Sequence, residues 1–286
     1  MALLRVVLAS VLLLPCIAQA QRDPNQILQE LQTLGWQKGP GEGVVAGKAK
    51  LTIPEGYAFL DDKNTRRFLE IMGNPPRDGH YLIAPANLDW FAVFSFDPVG
   101  YVKDDEKIDA DALLKSLKES DGPGNEERKR LGMRAVYTDG WHVPPHYDAS
   151  TKRLEWGVRL RNEQGRMNVN YTSRLLGRTG VMSAVLVCSI QALDADVKAF
   201  NAMLAGYEFN PGERYAEFKS GDKVAKYGLA ALVLGGAAAA AAKAGWLKFL
   251  GKFWVAIVAA LAAAWGFVKR LFFGRKETPP PGPGQT

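Results

Sequence analysis

The chain has 286 residues, enough for one sizeable domain that buries its own core without the help of metals or disulfides. Its formal net charge is +6, but nine basic residues and one acidic residue follow position 222, and Arg5 lies in the first 20 residues, so residues 21–222 carry a net charge of −3. A nucleic-acid-binding domain needs clustered basic residues on the folded domain itself, so this distribution argues against nucleic acid as a partner. Basic residues beside apolar segments are typical of a membrane anchor.

The first 20 residues have the pattern of a secretory signal peptide. Arg5 is followed by a mostly apolar run over 6–14 and then by Ala18-Gln19-Ala20, a small-residue cleavage site. The apolar run is shorter than the roughly 20 residues that a permanent membrane-spanning helix needs. We therefore expect cleavage after Ala20 and a main domain, residues 21–222, on the periplasmic or extracellular side of the cytoplasmic membrane.

Residues 21–222 alternate between two hydrophobic periodicities. Helical spacing predicts helices near 23–34, 62–72, 109–130 and 194–205. Runs rich in β-branched and aromatic residues, bounded by turn residues, predict strands near 44–53, 80–84, 90–96, 152–161, 165–173 and 179–190. The last three strands follow one another along the chain, and Glu163-Gln164-Gly165 fits a hairpin turn between the first two of them. The sequence thus predicts an α+β fold in which helices pack on a mostly antiparallel sheet.

Two uncharged apolar segments, 227–242 and 253–268, follow the domain. A helix of that length spans about 24 Å, less than the ~30 Å hydrocarbon core, but flanking lysines can extend its reach. Small residues recur every four positions in both segments, which allows two helices to approach closely in lipid. We expect a membrane anchor over 223–276 that forms a transmembrane helical hairpin, with membrane lipid as a partner. Buried soluble helices, or a single span by 253–268, are the alternatives. A disordered Pro- and Gly-rich tail is expected over 277–286.

The most ligand-like cluster in the sequence is His142, His146 and Asp148. Two imidazoles and a carboxylate are chemically adequate zinc ligands. However, the prolines at 144–145 break any helix that would align them, so surface-loop histidines are the favoured interpretation, and we predict neither a metal site nor a cofactor. The acidic run over 104–106 lacks the glycine and the terminal glutamate of a calcium-binding loop, which favours a solvated loop that leads into a helix.

Several motifs occur in a defined order along the chain. They are Gly73-Asn74-Pro75-Pro76, Gly100-Tyr101-Val102, Gly140-Trp141 leading to Tyr147-Asp148, Leu175-Leu176-Gly177-Arg178-Thr179-Gly180, and Tyr227-Gly228-Leu229-Ala230. Over about residues 35–275 this arrangement resembles a bacterial family of uncharacterised membrane-anchored proteins, which is known only as a domain of unknown function. The resemblance implies an exported domain with a C-terminal membrane anchor, and it supplies no catalytic residues.

Four residues in these motifs, Asn74, Trp141, Tyr147 and Arg178, are predicted to line a possible surface cleft. The function that the sequence favours is a non-enzymatic binding or interaction module, tethered to the membrane, whose partner is an envelope protein or another envelope component. The alternative is an envelope hydrolase that uses the 139–148 loop together with the acidic run. The sequence does not identify catalytic residues for it.

Overall fold

A computed structural model describes residues 24–72, 74, 77–130 and 134–235. The helices are α1 (Pro24–Gln32), α2 (Asp62–Ile71), α3 (Ala110–Arg130), α4 (Leu193–Leu204) and α5 (Leu229–Val233). The strands are β1 (Gln37–Lys38), β2 (Gly41–Val45), β3 (Ala49–Ile53), β4 (Tyr57–Leu60), β5 (His80–Pro85), β6 (Phe91–Asp97), β7 (Val136–Asp148), β8 (Arg153–Asn162), β9 (Met167–Leu176), β10 (Val181–Val187) and β11 (Tyr207–Phe209). Among the helices within these ranges, none combines the length and the apolar character that crossing a membrane requires.

The predicted helices of the main domain are confirmed, and their local signals are visible in the structure. At α2, for example, the side chain of Asp61 accepts a hydrogen bond from the backbone N–H of Asn64 and so caps the first turn. The same helix buries Phe68 and Leu69 against the sheet. The capping residue and the helical spacing of the apolar residues both lie within one short segment, which is why the sequence alone located this helix.

The predicted α+β class is confirmed, because helices pack on a large antiparallel sheet. Its eight strands have the order β1-β4-β5-β6-β10-β9-β8-β7, and a second sheet has the order β11-β3-β2. Strands β8, β9 and β10 form the predicted meander, in which each strand pairs with the next in antiparallel register.

The segment predicted as a loop over 139–148 lies instead within β7, the edge strand of the large sheet next to β8. Pro144 and Pro145 are tolerated because an edge strand leaves one row of backbone groups unpaired and because the register shifts between Val143 and His146. The two prolines therefore mark an irregular edge strand.

The single strand predicted over 44–53 is a hairpin of two strands, β2 and β3. The chain turns between them at Ala46 (φ 53°) and Gly47 (φ 64°), both in the left-handed region that tight hairpin turns require. A continuous run of β-forming residues concealed this turn, because alanine is not a typical turn residue.

Apolar clusters cover both faces of the large sheet. One face packs against α4 and the small sheet, around Phe94, Met182 and Phe200. On the opposite face, one cluster joins α1 and α2 to β4, β5 and β6, and a second cluster joins α3 and α5 to β8, β9 and β10. Between these two clusters, the middle of that face carries a row of polar side chains.

The segment from 223 to 235 packs onto the domain. In α5, the side chains of Leu229, Leu232 and Val233 are buried with Val102 and Tyr215. These residues fall in the first predicted membrane segment. Residues 236–242, the second apolar segment, the signal peptide and the tail lie outside the described residues, so the expectations for them remain predictions.

Candidate functional site

The three candidate metal ligands on β7 contact three different groups. His142 Nε2 lies 3.2 Å from Asp194 Oδ1, and His146 Nε2 lies 3.8 Å from Glu155 Oε2. Asp148 accepts hydrogen bonds from the hydroxyl groups of Ser150 and Thr151, and these bonds hold the pKa of its carboxyl below the usual range. Within the described ranges, no group of three His, Cys, Asp or Glu residues is placed to hold a metal ion.

The structure does bring the 139–148 segment and the acidic run together. Tyr147 Oη donates a hydrogen bond to Asp104 Oδ2 (2.7 Å), and Lys152 Nζ lies 2.9 Å from the same oxygen. Burial acts to raise the pKa of Asp104, but the hydrogen bonds from Lys152 and Tyr147 outweigh it and hold that pKa below its ordinary value. Burial and the bond to Asp104 raise the pKa of Tyr147. The carboxylate is therefore engaged by two donors, and the cluster fastens the acidic run to the sheet.

The four residues predicted to line a cleft contact four separate segments. Asn74 is buried, and its backbone N–H donates to the Leu69 carbonyl oxygen at the end of α2. The indole of Trp141 donates to the carbonyl oxygen of Ala110 in α3 (3.0 Å), and Tyr147 contacts Asp104. The Arg178 guanidinium forms a two-pronged ion pair with Asp222, at 2.6 and 2.8 Å. The four residues have four different partners, so these contacts do not bring them together in one site.

A row of polar residues crosses the middle of the sheet face, between the two apolar clusters. His80 on β5 is the cross-strand neighbour of Ser95 on β6, Ser95 is opposite Ser183 on β10, and Ser183 is opposite Arg174 on β9. Asp97 lies two residues beyond Ser95 on the same face of β6. We call these five residues the polar row. His80 and Ser183 are buried, and the other three are half-buried.

Arg174 is the exceptional member of the polar row. Its Nε atom is buried without a hydrogen-bond partner, and among the described residues no carboxylate lies within ion-pair distance of its guanidinium. Burial lowers its pKa, while the charge of Asp97 acts in the opposite direction. Burial likewise raises the pKa of Asp97, although Arg174 and Lys223 oppose that shift. Each of the two charges therefore affects the pKa of the other group without direct contact.

The remaining neighbours define what Arg174 can bind. The guanidinium Cζ lies 5.9 Å from the centroid of the Trp156 ring, within the range of a cation–π contact. His80 Nδ1 lies 2.9 Å from the Asp78 carbonyl oxygen, an acceptor only, so this nitrogen carries the proton and Nε2 does not. Burial lowers the pKa of His80 and so favours the neutral ring. A guanidinium with free donors, beside hydroxyl groups, is suited to a carboxylate or phosphate group.

Sequence reasoning missed the polar row. Its strands were predicted, but the row depends on the register between β5, β6, β9 and β10, which are distant in sequence. One local signal was present. Arg174 and Leu176 lie two residues apart in β9 and so share a face of the sheet, and Leu176 is buried in an apolar cluster. A charged residue in such a run indicates a functional position or a buried partner.

Comparison with known proteins gives a family and one distant structural likeness. The model of the family described as protein of unknown function (DUF2167) matches residues 37–266. No curated protein matches the chain significantly. Among solved structures, the solution structure of cyanobacterial PsbP (CyanoP) from Synechocystis sp. PCC 6803 matches with 12% identity and a TM-score of 0.32, over 57% of this chain and 86% of that one. A TM-score this low supports no argument about fold or function.

Proposed function

Since this chain belongs to the DUF2167 family, whose function is unknown, we propose a function from its own residues. In this proposal the protein is a membrane-anchored binding module of the cell envelope, and it holds an anionic ligand at the polar row. Export and anchoring rest on the leader and the apolar segments of the sequence. The ligand class rests on one observation, the Arg174 guanidinium that is half-buried and has no ion-pair partner among the described residues.

The physical argument is that a half-buried charge without an ion-pair partner is unfavourable in the free protein. Removing a guanidinium from water costs several kcal/mol unless hydrogen bonds or an opposite charge replace the lost hydration. Asp97 is too far from Arg174 to supply an ion pair, yet close enough that each affects the pKa of the other. A ligand carboxylate or phosphate would satisfy the donors of Arg174, and the hydroxyl groups of Ser95 and Ser183 are its neighbours in the row.

Thermal unfolding of the full chain tests this proposal. Inorganic phosphate and acetate serve as probes, with sodium chloride at equal ionic strength as the reference. A ligand that binds only the folded state raises Tm in proportion to RT ln(1 + [L]/Kd). We expect phosphate or acetate to raise Tm above the chloride reference in the wild-type protein, and Arg174→Met to abolish the difference.

Arg159→Met is the matched control, because Arg159 is a half-buried arginine on β8 that, unlike Arg174, has an ion-pair partner, Asp139. It should keep the anion-dependent rise in Tm. Arg174→Lys keeps the charge and should keep part of the rise, and circular dichroism of each variant confirms folding. An equal rise in wild type and Arg174→Met would overturn the assignment of Arg174.

An envelope hydrolase stays the second candidate, because Tyr147 and Asp104 do lie within hydrogen-bond distance. Zinc or calcium in stoichiometric amount in the purified protein would favour it.

A further inference from the structure

A second surface of the domain combines exposed apolar side chains with unpaired positive charges. It lies in the segment 218–226, and we call it the basic face: Phe218, Lys219, Lys223, Val224 and Lys226. Phe218 and Val224 each expose 38% of their surface, and the three lysines are exposed as well. Large apolar residues with this exposure are few among the described residues, and here two of them lie among three lysines.

The basic face is held in place by the fold. The rings of Phe218 and Tyr101 lie 4.2 Å apart, and Tyr101 also stacks on Tyr215. The backbone of Tyr101 pairs with the segment on both sides of Val224, through Lys223 and Ala225. Because these contacts fix the backbone, Phe218 and Val224 are exposed in a defined geometry, so a partner need not order the segment in order to bind it.

The lysines of the basic face have no carboxylate within salt-bridge distance among the described residues. The acidic side chain within the segment, Asp222, is bound by Arg178, and its pKa is lowered by that hydrogen-bonded ion pair to about 2. None of the three lysines forms a salt bridge within the part of the chain that the structure describes. Lys223 donates to the carbonyl oxygen of Pro98, and its charge acts on Asp97 without a salt bridge. The surface therefore attracts anions while it also offers apolar contact.

The position of the basic face along the chain indicates its partner. The inference rests on the proposed membrane anchoring: the segment precedes the predicted membrane-spanning residues after position 235, and between them Leu229, Leu232 and Val233 of α5 pack on the domain. Aromatic residues and lysines are enriched where a protein meets the headgroup region of a bilayer, because the ring enters the interface and the ammonium group reaches the lipid phosphates. Basic clusters beside a membrane anchor bind anionic lipid in particular.

We infer that the basic face lies on an anionic lipid bilayer, with Phe218 and Val224 in the headgroup region and the lysines on the lipid phosphates. This contact is separate from the anchoring of the C-terminal segment and from the polar row. It fixes the orientation of the domain on the membrane, where a flexible tether would leave the orientation free.

Fluorescence of the full chain in vesicles tests the inference. An NBD probe is attached at Ser220→Cys in a Cys16→Ala/Cys188→Ala background, and the protein is reconstituted in phosphatidylcholine alone or with phosphatidylglycerol. We expect the probe to shift to shorter wavelength, and to be quenched by headgroup spin-labelled lipid, in the vesicles with phosphatidylglycerol. Raising the ionic strength should weaken both effects.

Two controls separate this contact from mere tethering. A probe at Glu163→Cys should show water-like emission with both lipids. Glu163 lies in the turn between β8 and β9, whereas Arg178 and Asp222 lie beyond the other end of β9. Lys219→Glu/Lys226→Glu should abolish the shift at Ser220, whereas Lys115→Glu/Lys118→Glu, an equal charge reversal on the exposed side of α3, should preserve it. The inference is overturned if Ser220 remains in a water-like environment with both lipids, or if the two double variants behave alike.

Discussion

The guanidinium of Arg174 lies over the indole ring of Trp156, with 5.9 Å between Cζ and the ring centroid, and it has no ion-pair partner among the described residues. Trp156 is 5% exposed and belongs to the apolar cluster that α3 and α5 cover. A positive charge is thus placed at the boundary between a hydrophobic core and the polar row, an arrangement that favours ligand binding over stability.

A first prediction follows for the stability of the ligand-free protein. Arg174→Met replaces an unpaired, desolvated charge by an apolar side chain of similar length, and we expect the free energy of unfolding to stay the same or to rise by about 1 kcal/mol. Urea unfolding in chloride buffer measures it. If the variant were less stable by about 3 kcal/mol, the charge would have a structural partner in the free protein, and the ligand hypothesis would lose its basis.

A second prediction concerns His80 and pH. Burial lowers the folded-state pKa of His80, so below the unfolded value of about 6.5 the unfolded state binds a proton that the folded state does not. Stability should therefore be complete above this pH and fall as the pH decreases, by at most about 1.4 kcal/mol per pH unit.

His80→Asn isolates this contribution, since it can keep a donor to the Asp78 carbonyl oxygen. The fall in unfolding free energy between pH 7.5 and 5.5 should be smaller in the variant than in wild type. Asp97, whose pKa is raised by burial, acts in the opposite direction in both proteins and cancels from the comparison. Identical pH profiles would show that the ring is not buried in its neutral form.

A third prediction concerns the C-terminal boundary of the domain. A chain that ends at residue 235 keeps α5, whereas one that ends at 222 loses the buried side chains of Leu229, Leu232 and Val233. Since a buried side chain of this type contributes roughly 1.5–3 kcal/mol, we expect the shorter chain to melt at a clearly lower temperature or not to fold. Leu232→Ala in the full chain should cost about 2–5 kcal/mol. Equal melting temperatures of the two truncated chains would refute a structural role for α5.

A fourth prediction compares two glycines with positive φ. Gly100 (φ +95°), in the Gly-Tyr-Val motif, would place an added Cβ 2.4 Å from the carbonyl oxygen of Lys223, while Gly56 (φ +78°) faces open space. Gly56→Ala should cost about 1–2 kcal/mol from the backbone conformation alone. Gly100→Ala should cost more, because the segment at Lys223 must also move. Similar losses in the two variants, measured by urea unfolding, would contradict a tight contact between these segments.

Other glycines in the sequence motifs are explained by such contacts between distant segments. Gly177 and Gly180 flank the β9–β10 turn, where an added Cβ would lie 2.8 Å from the Phe209 ring and 2.2 Å from the Asp97 carbonyl oxygen respectively. Arg178 between them binds Asp222. The sequence predicts Arg178 in a cleft, because the motif alone does not show which group the guanidinium contacts.

What the sequence determined by itself was local. The spacing of apolar residues in α2, α3 and α4, and the three successive strands that end at β10, follow from periodicity and capping within short windows, so the α+β class was predictable. The charge distribution and the apolar segments also support export and anchoring without any coordinates. The tertiary structure decided the rest. It places 139–148 in an irregular edge strand and Tyr147 within hydrogen-bond distance of Asp104. It also places four residues in one row across the sheet: His80, Ser95, Ser183 and Arg174. That alignment depends on the register between strands nearly a hundred residues apart in sequence, and register is selected by the burial of whole sheet faces, which no local pattern records.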